Sequence, residues 1–152
     1  MRLSLRTLVL VSAVLLAQYW APVSGFADAR SACSNATLHG SYAFTESGTI
    51  VTIGPVAVAG VFHADGNGKL TTSDTVSVNG QIAQESLNFA YQVNPDCTGI
   101  ASSAPGQEPA HFNFVILNLG EQVIGIHTDP GTILILKAKQ QFRKRSSAGP
   151  ED

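Results

Sequence analysis

Apolar and polar residues alternate along most of the chain from residue 39 onward, and glycine, proline, asparagine and aspartate separate the alternating stretches. In KLTTSDTVSV (69–78), Leu70, Val76 and Val78 fall on one face, while threonine and serine fall on the other. A period of two is typical of a β-strand with one buried face. We therefore predict eight strands, over residues 39–47, 56–64, 69–78, 85–93, 98–104, 111–118, 122–128 and 132–141.

The predicted strands are joined by short connections. Asn79-Gly80 is a strong two-residue hairpin signal, and DGNG (65–68) is a second tight turn. Because short connections leave no room for crossover helices, neighbouring strands are expected to pair antiparallel in a meander. Eight strands suffice to close a barrel, and closure removes the exposed sheet edges. The pattern predicts an all-β fold, an eight-stranded antiparallel up-and-down β-barrel, with a β-sandwich as the alternative.

The first 29 residues have a different composition. Arg2 and Arg6 precede an uncharged apolar run, and the small residues of FADA (26–29) form an A-x-A pattern that predicts cleavage near Ala29, with an earlier site at 23–25 as the alternative. The apolar run is about half of the ~20 residues that span a bilayer. We predict a cleaved signal peptide (1–29), a secreted or periplasmic protein and no stable membrane span.

The rest of the chain is predicted to be one barrel domain (30–145) followed by a disordered tail (146–152), because SSAGPED lacks apolar content. Without residues 1–29 the chain has seven basic and ten acidic residues, a net charge of −3. No lysine or arginine occurs between Lys69 and Lys137. A nucleic-acid-binding face needs basic residues interleaved with aromatic ones, so no nucleic-acid partner is predicted.

Cys33 and Cys97 are the two cysteines of the chain. In an exported protein they are expected to form a disulfide bond. Cys33 precedes the first predicted strand and Cys97 lies between the fourth and the fifth, so a meander brings both to the same barrel end. The disulfide would hold SACSNATL (31–38) across that end as a floor, and a pocket would open at the other end.

Two functions are compatible with such a barrel. A binding protein would hold a small apolar ligand among inward aromatic residues and rim histidines: Tyr42, Phe44, Phe62, Phe89, Tyr91, Phe112, Phe114, His111 and His127. A packed core is the simpler interpretation of the aromatic residues. An enzyme would use His111 and His127 with Glu108 and Asp129 for proton transfer or metal binding, unless the register turns the histidines to opposite faces.

Motifs for specific chemistry are absent from the sequence. DGNGKLTTSDTV departs from a calcium loop at Leu70 and Val76, where glycine and glutamate are needed. The chain contains no G-x-S-x-G, no H-E-x-x-H and no glycine-rich phosphate loop. We therefore assign no metal site, no cofactor and no catalytic residue.

Several segments together resemble a group of uncharacterised secreted bacterial proteins: GSYAF, GPVAVAGVFHADGNGKLT, VNG, YQVNPDCTG and HTDPGT. The resemblance implies a calycin-like barrel of the lipocalin, avidin and allene-oxide-cyclase type, and implies no activity. Gly40-Ser41-Tyr42 is similar to the lipocalin G-x-W opening, with tyrosine in place of tryptophan. The chain after residue 29 has no tryptophan, which argues against avidin-like biotin binding. No residue matches a catalytic position of an allene-oxide-cyclase-like isomerase, the alternative function.

The last three predicted strands, 111–118, 122–128 and 132–141, are apolar on both faces, as FVIL, VIGI and ILIL show. A barrel strand that meets water should be polar on its outer face. Val115 and Leu117 are expected to point outward, beside one set from each neighbour: Ile124/Ile126 or Val123/Gly125, and Ile133/Ile135 or Leu134/Leu136. We predict a homo-oligomer through these strands, with a membrane or the chain's own terminal segments as alternative covers.

Overall fold

The computed structural model describes residues 32–142. The predicted signal peptide (1–29) and the predicted tail (146–152) lie outside the described residues. The strands are β1 His39–Ile50, β2 Gly54–Asp65, β3 Lys69–Val78, β4 Gln81–Glu85, β5 Asn88–Val93, β6 Thr98–Ser103, β7 His111–Leu117, β8 Gln122–His127 and β9 Thr132–Gln140. Two single-turn 3₁₀ helices occur at Asn35–Thr37 and Asn118–Gly120.

The strands close into a barrel in the order β2-β1-β9-β8-β7-β6-β5-β3, and a β2–β3 pairing completes the ring. Each pairing is antiparallel. The predicted eight-stranded antiparallel barrel is confirmed, and the sandwich alternative is wrong. Asn79 and Gly80 both have positive φ values, 48° and 84°, as a two-residue hairpin turn requires.

β4 is an additional strand outside the closed ring. It pairs with β3 in the register Asp74↔Glu85, and β5 continues the same register at Thr71↔Asn88. The two strands are interrupted at Ser86 and Leu87, which bind Thr72 instead. The Ser86 hydroxyl donates to the Thr72 carbonyl (2.6 Å), and the Leu87 amide donates to the Thr72 hydroxyl (3.2 Å). The predicted strand 85–93 is therefore shortened to β5, and β4 is a strand that the sequence interpretation missed.

One barrel end is closed by the segment from Cys33 to Leu38. The Cys33–Cys97 disulfide is present, with a Cα–Cα distance of 5.0 Å. The Asn35 side chain accepts a hydrogen bond from the Val93 amide, and the Tyr91 hydroxyl donates to the Leu38 carbonyl, each at 2.8 Å. The predicted disulfide is confirmed. It lies at the end of the barrel opposite His127, because β5 ends and β6 begins beside Cys97.

Aromatic side chains fill the barrel just above this floor. Tyr42 is fully buried and stacks on Phe62 with 4.7 Å between the ring centroids, and its hydroxyl donates to the Gly120 carbonyl.

Within residues 32–142, no helix is long and apolar enough to cross a lipid bilayer. The disulfide is compatible with an extracellular or periplasmic location.

Candidate ligand-binding cavity

A cavity of about 490 Å³ occupies the barrel above the floor. Its walls are mostly apolar, and all nine described strands contribute to them. Its mouth lies at the end formed by the 50–54 and 127–132 connections, where Ile50, Ile53, Asp129 and Thr132 line it. The barrel is therefore filled near the floor and hollow above.

Five of the predicted aromatic residues line this cavity: Phe44, Phe62, Phe89, Phe112 and Phe114. Phe89 and Phe112 meet edge to face, with ring centroids 5.7 Å apart. Tyr42 and Tyr91 are buried below the cavity and do not line it. Their hydroxyls bind backbone carbonyls instead, so these two residues belong to the packed floor.

Three carboxyl groups that the sequence interpretation missed also line the cavity, those of Glu46, Asp74 and Glu85. Glu108 from the 104–110 connection, which the sequence analysis did name, lines it as well. The sequence does carry a signal for two of these acids, because they fall on the same strand face as apolar residues. Glu46 is in phase with Tyr42 and Phe44, and Asp74 is in phase with Leu70 and Val76. Because alternate residues of a strand share a face, charged residues in an apolar phase indicate a polar feature inside the barrel.

Asp74 is buried in the cavity wall, and one of its two carboxyl oxygens has no hydrogen-bond partner. The residue is 9% exposed, and the oxygen without a partner is Oδ1. Burial raises the pKa of its carboxyl, and the nearby Glu46 charge adds to the rise, while side-chain hydrogen bonds with Thr72 and Glu85 oppose it without cancelling it. Gly60 is its neighbour on β2, where an added Cβ atom would collide with the Cβ and Cα atoms of Asp74 and with the Ser73 carbonyl oxygen. The absence of a side chain at Gly60 thus permits the close approach of β2 and β3 at this carboxyl.

Glu85 is the cross-strand partner of Asp74 on β4. Burial raises the pKa of its carboxyl, and the charges of Asp74, Glu46 and Glu108 raise it further. Because the two carboxyl groups are adjacent, the negative charge of one disfavours ionisation of the other. This part of the wall therefore holds a proton at a higher pH than isolated acids do.

His127 is enclosed at the cavity rim between two acids. Its Nε2 atom lies 3.2 Å from Glu46 Oε2, and its Nδ1 atom lies 3.5 Å from Asp129 Oδ2. Its ring packs against Phe112, with centroids 3.9 Å apart. The His127 side chain is 11% exposed, so the ring is held in one place by packing and by two carboxylates.

His111 does not face the cavity. The register Phe112↔His127 turns His111 and His127 to opposite faces, the outcome that the sequence had left open. Asp129 nevertheless connects them, because its Oδ1 atom lies 2.6 Å from His111 Nδ1. Burial would raise the pKa of Asp129, but hydrogen bonds from His111 and His127 outweigh it and hold this pKa below its ordinary value.

The arrangement can bind an organic molecule and can hold or transfer protons. Among residues 32–142, no three histidine, cysteine, aspartate or glutamate side chains are grouped so as to hold a metal ion. Comparison with known proteins gives no match to a family model, to a curated protein or to a solved structure.

Proposed function

We propose that this protein is a secreted or periplasmic binding barrel that takes up one small molecule with a largely apolar body. The observation that carries the proposal is the cavity of about 490 Å³ inside the barrel. Ligand sites are typically concave, mostly apolar and about 300–1,000 Å³ in volume. The cavity has that size and composition, and the disulfide-bonded floor closes it from below.

We also propose a calycin-like relationship to secreted bacterial barrels. It is supported by the GSYAF, DGNG and NPDCTG segments and by the closed eight-stranded ring. Under this proposal residues 1–29 direct export, and the disulfide forms after export.

Titration with N-phenyl-1-naphthylamine, a neutral lipophilic fluorophore, tests the binding function. The cleaved protein is expected to bind it saturably with one site per barrel. Val58→Trp, which places a large side chain on the cavity wall, is expected to abolish the signal. The matched control is Ala59→Trp, on the outward face of the same strand. Equal binding by the two variants would place the fluorophore elsewhere and contradict the proposal.

A second candidate function is proton-transfer catalysis in the same cavity, and the contacts of His127 favour it. An imidazole held between Glu46 and Asp129 can take a proton from a bound carbon acid and return one. Exchange of the α-hydrogens of decan-2-one for solvent deuterium, followed by ¹H NMR, tests this function. The exchange is expected to be lost in His127→Ala and retained in His111→Ala, whose side chain lies outside the cavity. No exchange above the buffer rate in the unmodified protein would contradict it.

A further inference from the structure

We propose that the ligand of this cavity is a cationic amphiphile, an apolar body carrying an ammonium or amidinium group that Asp74, Glu85 and Glu46 receive. This inference rests on the proposed binding function and adds the chemical class of the ligand. Its basis is the placement of these acids on one wall of an otherwise apolar cavity.

Asp74 and Glu85 are directly paired on β3 and β4, and Glu46 on β1 lies near enough for its charge to act on both. Phe44 pairs with Gly60, Gly60 pairs with Asp74, and Asp74 pairs with Glu85, so these positions form one row across four strands. Glu46 lies two residues along β1 from Phe44 and therefore points to the same face. Asp74 and Glu85 in this row and Glu46 beside it place three acids on the cavity wall, which phenylalanine rings from β1, β2, β5 and β7 also line.

No lysine or arginine is among the described residues that line the cavity. The basic group nearest this wall is His127, and it already contacts Glu46 and Asp129. Asp74 thus has an enclosed oxygen without a hydrogen-bond partner in a cavity whose described lining includes no lysine or arginine. A buried polar atom without a partner is unfavourable, and an N–H donor from a cationic ligand would satisfy it.

Ligands of other charge fit this wall less well. An anionic group would face the repulsion of several acids and find no arginine or lysine to pair with. A neutral alcohol would satisfy the free Asp74 oxygen but gain no charge interaction. A cationic group gains both a hydrogen bond to the Asp74 oxygen and an attraction to the negative charges. The apolar part of the cavity then buries the hydrocarbon part of the ligand.

Protons compete with such a ligand for the same oxygens. The charged groups that act on Asp74 are Glu46 on β1 and Glu85 on β4. Glu108 in the 104–110 connection acts on Glu85, and His127 and Asp129 line the cavity at its rim. Because burial raises the pKa of both Asp74 and Glu85, these carboxyls take up protons at a higher pH than exposed acids do. Binding of a cation is therefore expected to weaken as the pH falls.

The test compares decylammonium, decan-1-ol and decanoate, which share one hydrocarbon chain and differ in charge. Isothermal titration calorimetry at neutral pH is expected to rank decylammonium first and decanoate last. A charge-assisted hydrogen bond in a partly buried site corresponds to a preference of about tenfold or more over decan-1-ol. The Asp74→Asn/Glu85→Gln double variant, nearly isosteric, is expected to lose that preference and to keep its affinity for decan-1-ol. Asp96→Asn, at the floor end, is the control and is expected to behave as the unmodified protein.

A second arm uses the unmodified protein alone, so it does not depend on the folding of a variant. On lowering the pH from about 7 to about 4, decylammonium affinity is expected to fall while decan-1-ol affinity stays constant. Equal affinities for decylammonium and decan-1-ol, or a preference that survives in the double variant, would overturn the inference and leave the binding function intact. No binding of any of the three compounds would overturn the binding function itself.

Discussion

At the scale of single residues, the important positions are charged side chains in the inward phase of apolar strands. Glu46 and Asp74 alternate with apolar neighbours, so the printed sequence already places them inside a barrel, whereas Glu85 ends β4 outside the ring and reaches the cavity from there. The free Asp74 oxygen could not be predicted in this way. It depends on Gly60 and Glu85, which lie beside it only after β2, β3 and β4 have paired.

The raised pKa values of Asp74 and Glu85 predict a specific effect of pH on stability. A carboxyl whose folded-state pKa is raised favours the fold below its unfolded pKa, about 4, and that contribution is lost as the pH rises through the folded value. The Asp74→Asn/Glu85→Gln variant has no carboxyl to ionise at these two positions, so it does not lose this stability as the pH rises. In urea unfolding, the double variant is therefore expected to gain stability relative to the unmodified protein between about pH 3 and pH 7.

Asp96 supplies a control of opposite sign. Hydrogen bonds from the Thr98 side chain and backbone lower the pKa of Asp96, so its contribution to stability is present at neutral pH and lost as the pH falls. Asp96→Asn is expected to lose stability relative to the unmodified protein over the same rise in pH. The account of the cavity acids would be contradicted if both variants changed in the same direction.

At the scale of elements, the sequence predicted most strands to within a few residues. Alternation and turn residues are local signals, and the Asn79-Gly80 hairpin shows that such signals suffice for register. The interruption between β4 and β5 was not predicted because it depends on hydrogen bonds to Thr72 on another strand. The opposite orientation of His111 and His127 likewise follows from the length of the β7–β8 connection rather than from either strand.

The disulfide at the floor predicts the stability of the whole barrel. The bond joins residues 64 positions apart, and closing a loop of that length is expected to contribute about 4 kcal/mol to the free energy of unfolding. Urea unfolding of Cys33→Ser/Cys97→Ser is expected to show a loss of this size. Because the cavity opens at the other end, the folded variant should still bind N-phenyl-1-naphthylamine. A loss below about 1 kcal/mol would mean that the floor holds without the bond.

At the scale of the whole molecule, the outer wall of β7, β8 and β9 carries an exposed apolar patch made of Val115, Leu117, Ile124, Ile126, Ile133 and Ile135. Of the sets that the sequence left open, Ile124/Ile126 and Ile133/Ile135 point outward. Val115 pairs with Ile124, and Ile126 pairs with Ile135, so the patch is continuous across three strands. Continuous apolar patches on soluble proteins commonly mark an interface.

This patch predicts self-association of the cleaved protein. Light scattering at micromolar concentration is expected to give a mass above that of one chain. Ile124→Lys and Ile135→Lys are expected to shift it toward the monomer, because each places a charge within the patch. Ser73→Lys, on the outward face of β3, is the control and should leave the mass unchanged. A monomer in all four proteins would contradict the prediction.

The most direct test of the central claim is a crystal structure of the protein with 10-bromodecan-1-ol, whose bromine is located by its anomalous signal. Residues 32–142 of the protein form an apolar inner cavity and an apolar outer patch, and the position of the bromine distinguishes between them. The account predicts a bromine peak inside the barrel among Phe44, Phe89 and Phe112. A peak confined to the outer wall beside Ile124 and Ile135, with the cavity free of ligand density, would contradict the claim that this barrel is a binding protein.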